Sequence, residues 1–81
     1  MSLLTIYYPD NITMKEVYCM VDDIKEGEFR GFYKDGKLKK LGYYKNGVMD
    51  GKYTEYFNNG QEYFIENFEN GIQVGNYVKY P

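Results

Sequence analysis

Chemistry in this chain has to come from rings and lysines, because the usual catalytic residue types are nearly missing. There is no histidine, and Cys19 is the only cysteine. A lone thiol without an activating base or further metal ligands offers neither an activated nucleophile nor a zinc site. No glycine-rich loop leads into a helix that could hold phosphates. Asp10 and the pair Asp22-Asp23 do not have the spacing of a calcium loop, and such acids are ordinary turn formers. The sequence therefore predicts a chain that is not an enzyme, with no cofactor and no metal. Cys19 is expected as a small, half-buried strand residue.

What the chain has in quantity is aromatic surface, with 11 Tyr and 5 Phe among 81 residues. The rings recur. Phe29, Tyr53 and Tyr77 stand 24 residues apart, as do Met20, Tyr44 and Phe68, while Tyr33 and Phe57 make a third set. Ladders of this kind are expected to pack along one face of a sheet, and their faces also attract organic cations such as choline. Phe29, Tyr33, Tyr44, Tyr53, Phe57, Phe68 and Tyr77 form the expected interaction surface. A second set, Lys37, Lys39, Lys40 and Lys45, near Lys34 and Lys52, reads as a basic patch on one strand. Solvated lysines commonly guard a sheet edge. The sharper reading is contact with a lipid headgroup or an acidic partner. Glu62, Glu66 and Glu69 in the next repeat argue against a broad membrane-binding face. The net charge of −2 gives no basic footprint for nucleic acid.

The elements that must carry these residues are strands. Tyr33-Lys34-Asp35-Gly36 returns as Phe57-Asn58-Asn59-Gly60, and Asn46-Gly47 and Gly51 return as Asn70-Gly71 and Gly75, all at an offset of 24. A fixed period of this length marks a repeat architecture. Asp-Gly and Asn-Gly pairs between aromatic and β-branched runs predict hairpins with tight turns at Asp35-Gly36 and Asn59-Gly60, Gly36 and Gly60 having positive φ. Asp10-Asn11 takes the same place in a first, degenerate copy. The expected register sets Tyr33 opposite Leu38, Phe32 opposite Lys39 and Tyr56 opposite Tyr63. The offset between the first two copies is 25 at the turn and 24 after Val17, so one extra residue lies between Asn11 and Val17, where a β-bulge is expected. Asn46 to Gly51 and Asn70 to Gly75 read as longer connections.

The resulting expectation is all-β: one single-layer antiparallel meander of about seven strands, forming one domain over 1–81. It divides into a degenerate repeat 4–27, repeats 28–51 and 52–75, and a partial repeat 76–81 that leaves an edge strand. Apolar residues fall on both faces: Phe32, Leu41, Tyr56, Ile65 and Tyr80 on one, Tyr33, Leu38, Phe57, Phe64 and Phe68 on the other. One layer of strands cannot cover both, so a protein partner is expected, most simply a second copy in a two-fold dimer. No run of about 18 apolar residues would make a membrane-spanning helix. The opening Met1-Ser2-Leu3-Leu4, followed by Thr5 and Tyr7-Tyr8-Pro9, lacks a leader pattern, so the expected location is cytoplasmic.

The recurring pattern, from Tyr33 to Gly36, Asn46-Gly47, Gly51 and Tyr53, then Phe57 to Gly60, Asn70-Gly71, Gly75 and Tyr77, resembles the MORN-repeat variant of many bacterial and some viral proteins. Two copies, over 28–80, carry the resemblance, and the first departs from it at Asn11 and Asp23. The resemblance implies β-hairpins laid side by side in one extended twisted sheet. It also implies binding without catalysis: an antitoxin-like or scaffolding contact with a protein or, as the alternative, a peripheral phospholipid contact through the Lys34–Lys45 patch. The motif residues of such repeats are framework residues, so no ligand position carries over.

Overall fold

The computed structural model describes residues 1–80; Pro81, the end of the expected partial repeat, lies outside the described residues. The strands are β1 Ser2–Tyr7, β2 Met14–Val21, β3 Ile24–Phe32, β4 Leu38–Lys45, β5 Val48–Met49, β6 Gly51–Tyr56, β7 Glu62–Glu69 and β8 Ile72–Lys79. They form one open antiparallel sheet in the order β1-β2-β3-β4-β6-β7-β8, with the short β5 also paired to β4. No helix occurs among the described residues. The fold is the expected all-β meander, with eight strands in place of about seven.

The turns explain both the agreement and the errors. Turns with positive φ at both central residues sit at Asp22-Asp23 (50° and 64°), Asn46-Gly47 (51° and 85°) and Asn70-Gly71 (51° and 81°). Asn46-Gly47 is therefore a two-residue turn between Lys45 and Val48, not the start of a long connection. Gly36 and Gly60 do have positive φ, at 90° and 91°, but Asp35 and Asn59 do not. The Gly36 amide donates to the Tyr33 carbonyl (2.9 Å) and the Tyr33 amide to the Lys37 carbonyl (2.8 Å), closing a three-residue loop. Asp35 Oδ1 accepts from the Lys37 amide, and Asn59 Oδ1 from the Gln61 amide, each at 3.0 Å.

A longer loop changes the pairing beside the turn, and a bulge restores the expected register beyond it. Gly31 pairs with Lys40 and Phe32 with Leu38, leaving Lys39 as the extra residue of a bulge. Glu55 pairs with Phe64 and Tyr56 with Glu62, leaving Tyr63 in the same role. Ile6 pairs with Glu16 and Tyr7 with Met14, leaving Lys15. The expected pairs Tyr33–Leu38, Phe32–Lys39 and Tyr56–Tyr63 are thus corrected, and Leu38 shares a face with Phe32. A bulge at 15, 39 and 63 belongs to every repeat and does not account for the 25-residue offset. The extra residue is Ile12, 82% exposed in the loop closed by the Tyr8 amide and Thr13 carbonyl.

A second recurring kink lies at Gly27, Gly51 and Gly75, with φ of 104°, 100° and 70°. In the middle repeat it separates β6 from β5, a short strand inside the stretch expected as a connection, while the Asp50 amide donates to the Tyr43 carbonyl at 3.0 Å. Two bulges per repeat keep the strands strongly twisted.

The sheet measures 37 × 34 × 15 Å, one layer thick. Apart from Gly31 and Gly42, its buried residues are Phe29, Tyr18 and Thr54, at 4%, 7% and 3% exposure. Phe29 and Tyr18 mark the better-covered face.

Candidate functional site

The aromatic face follows from strand register. Tyr18 is opposite Phe29, Phe29 opposite Gly42, and Gly27 opposite Tyr44, so these side chains share one side of the sheet. Across β6 and β7 the same side presents Gly51, Tyr53 and Glu55, opposite Phe68, Glu66 and Phe64. Tyr18 and Phe29 stack with centroids 5.5 Å apart, and Phe29 meets Tyr44 at 5.0 Å. Phe29 then stacks on Tyr53 at 6.2 Å, and Tyr53 meets Phe68 edge-on at 6.4 Å. Gly42 makes the crossing possible: a Cβ there would lie 2.4 Å from Phe29 Cε1 and 3.1 Å from Tyr53 Cδ1.

Two carboxylates lie along this row of rings. Glu16 accepts from the Tyr18 hydroxyl at 3.0 Å and pairs with the Lys40 ammonium at 2.7 Å. Burial pushes the Glu16 carboxyl up, but the bond and charge of Lys40, with Tyr18 and Lys15, outweigh it and hold the group below its ordinary value. Tyr18 is pushed up to about 12, first by burial and then by Glu16. The Lys25 ammonium lies 3.9 Å from the Tyr18 ring centroid and 5.1 Å from that of Tyr44, within cation–π range of both.

Glu55 is held differently. Its Oε2 accepts from the Tyr53 hydroxyl at 2.7 Å and its Oε1 from the Tyr63 hydroxyl. Burial, then Glu55, raises the Tyr53 phenol well above its usual value. The Glu55 hydrogen bond is the main cause of the rise at Tyr63. Both effects keep the phenols protonated as donors. No lysine or arginine lies within ion-pair distance of Glu55 among the described residues. Beside it, Phe64 packs on Tyr77 at 5.6 Å and on Tyr63 at 6.5 Å. Glu55, Tyr63, Phe64, Tyr77 and Lys79 line a hollow of about 450 Å³.

The structure brings together five of the expected surface residues, Phe29, Tyr44, Tyr53, Phe68 and Tyr77, along one face. Tyr33 and Phe57 sit at the turn end of the sheet, Phe57 beside the hollow's Tyr63. The Tyr33 hydroxyl donates to the Tyr56 carbonyl at 2.6 Å, and Phe57 packs on Tyr63 at 4.8 Å. The lysines do not form a one-faced patch. Lys40 is engaged by Glu16 on the aromatic face, Lys45 follows the parity of Tyr43 on the opposite face, and Lys37 belongs to the turn. Lys39 is the bulge residue and reaches over the Tyr33 ring, 5.6 Å from its centroid. Strand alternation and the bulge at Lys39 scatter what the sequence sets close together. Cys19 is half-buried, as expected.

Glu16, Tyr18, Lys25 and Glu55 were not singled out from sequence, and Tyr63 and Phe64 were read only as strand-pairing and face residues. The usable signal was charge: Glu16 and Lys40 occupy one repeat position with opposite signs. No family model, curated protein or solved structure matches the chain.

Proposed function

We propose that the chain is a MORN-variant repeat module that works by binding a protein, in an antitoxin-like or scaffolding role and without catalysis. One observation carries this reading: the sheet is one layer thick, and its row of rings, buried at Tyr18 and Phe29, runs out to Tyr77, which no element of the chain covers. Tyr77 is 60% exposed at its outer end. Exposed apolar surface of this kind marks interaction sites. The alternative, a peripheral phospholipid contact through Lys34 to Lys45, is weaker because those lysines are divided between the two faces and the turn.

A second copy is the simplest partner, and sedimentation at micromolar concentrations tests it. The expected mass rises above 9.6 kDa with concentration. It falls back in Tyr77→Asp and stays high in Tyr43→Asp, a 41% exposed residue of the opposite face. A mass fixed near 9.6 kDa removes the second copy as partner. A photo-crosslinking residue at position 77, compared with one at 43, then tests for another protein in cells. A defined adduct from 77 alone supports the reading; no adduct from either position overturns it. Salt-sensitive pelleting with anionic vesicles would favour the phospholipid alternative.

A further inference from the structure

We infer that the hollow beside Glu55 is a binding site for an alkylammonium group. The argument begins with Glu55 itself. Two phenols, Tyr53 and Tyr63, each donate to one of its oxygens, which fixes the carboxylate in place. A carboxylate oxygen can accept more than one hydrogen bond, so acceptor capacity remains on both. No cationic side chain among the described residues uses it. The other half of the site is aromatic. Tyr63, Phe64 and Tyr77 line the same hollow, with neighbouring rings tilted at 40° and 46° to each other. A carboxylate with non-parallel rings around it suits an ammonium, which gains from the negative charge and from the ring faces together.

The same sheet face already binds ammonium groups of its own. Lys25 seats its Nζ 3.9 Å from the Tyr18 centroid, and Lys40 places its Nζ 2.7 Å from the Glu16 carboxylate. In the first half of the sheet the chain's own lysines thus supply what the second half leaves open. The hollow, at about 450 Å³, has room for a lysine-sized side chain or a small quaternary amine. Lys79 also lines it, without reaching ion-pair distance of any carboxylate among the described residues. It acts as a competing charge that weakens the site. This inference goes beyond the protein-binding reading, because a free amine would bind whether or not a protein partner exists.

The test is a titration of the whole chain, followed by NMR at the aromatic rings. Three probes are used: n-butylammonium, choline, and 3,3-dimethyl-1-butanol, the neutral isostere of choline. Saturable shifts are expected at Tyr63, Phe64 and Tyr77 with at least one cation, and not with the alcohol, while the Tyr18 ring stays still. Preference for n-butylammonium identifies a lysine-like source, and preference for choline a quaternary one. Glu55→Gln should weaken cation binding about tenfold. Lys79→Met should strengthen it. If Glu55→Gln loses ring-shift dispersion, Tyr77→Ala, at an exposed position, serves as the second variant and should also weaken binding. Equal binding of the neutral alcohol, absence of saturable shifts with either cation, or full binding by a folded Glu55→Gln protein would each overturn the inference.

Discussion

Glu16 and Glu55 are two carboxylates on one face of one sheet, and they have opposite fates. They belong to a single row across the strands: Glu16 opposite Gly31, Gly31 opposite Lys40, Lys40 opposite Glu55. Lys40 therefore has a carboxylate on either side, and it pairs with the more distant one. A missing side chain decides the choice. The lysine stem lies over Gly31, where a Cβ would come within 2.6 Å of Lys40 Cγ and Cε. On the other side the Glu55 oxygens are already engaged by Tyr53 and Tyr63. One end of the face is thus internally satisfied and the other is left open to a ligand. Ion pairing in a sheet is set by which neighbours leave room as well as by which charges are adjacent.

The largest effect that could break this comparison is in packing. Phe29 is 4% exposed and contacts the rings of Tyr18, Tyr44 and Tyr53, so it joins the two ends. Phe29→Ala should cost about 3–5 kcal/mol, enough to unfold much of so small a domain. Phe64→Ala, at the open end, should cost less than about half of that, because its ring is only half-buried against Tyr63 and Tyr77. Urea unfolding measures both. Equal losses would show that the open end is packed as tightly as the closed one.

A smaller effect separates the carboxylates directly. The Glu16 carboxyl is held below its ordinary value of 4.5, so it stabilises the fold above that pH. Its contribution is lost as the pH falls from there through the lowered folded value. Glu16→Gln should flatten this acid limb and lower stability near neutral pH by about 1 kcal/mol, a figure discounted because both partners are partly solvated. Glu55→Gln, which keeps an amide within reach of both phenols, should change stability near neutral pH by less than that. Thermal midpoints of the three proteins between neutral and acid pH check this. An unchanged acid limb in Glu16→Gln would remove the distinction between the sites.

How much of this was legible beforehand depends on the residue. The repeat, the meander and the positive φ of Gly36 and Gly60 were all readable, because a 24-residue period and Asn/Asp-Gly pairs are local signals. The type of each turn was not. Asp35-Gly36 closes a three-residue loop, and Lys39 and Tyr63 drop out of the ladder as bulges. That single change moved Leu38 to the other face and Tyr56 from Tyr63 to Glu62. Side-chain facing in a strand has a period of two, so the longer loop alone would invert the partner strand, and the bulged residue restores the expected pairs beyond it, Gly31 with Lys40 and Glu55 with Phe64. The candidate site was missed because of Tyr63: the expected register already set Glu55 opposite Phe64, but only the bulge brings the Tyr63 hydroxyl to the Glu55 side.

The smallest effect concerns the staples between repeats. The Tyr8 hydroxyl donates to the Phe32 carbonyl at 2.7 Å, and the Tyr33 hydroxyl donates to the Tyr56 carbonyl at 2.6 Å. Each bond ties one loop to the next repeat. The third residue of the series is Phe57, which has no hydroxyl to offer the corresponding carbonyl of Tyr80. Here too the first two repeats are joined more firmly than the open end. Tyr33→Phe should cost about 0.5–1.5 kcal/mol, the net value of one hydrogen bond. Phe57→Tyr should gain no more than that, since Tyr80 is 46% exposed and water already competes for its carbonyl. Amide exchange reads the gain where a global midpoint would be too coarse. The Tyr80 amide, which donates to the Tyr63 carbonyl at 2.7 Å, should exchange more slowly in Phe57→Tyr, and amides of β2 should not change. Slower exchange across the whole sheet would mean that the open end is not a separate, looser region, and the contrast between Glu16 and Glu55 would then rest on charge alone.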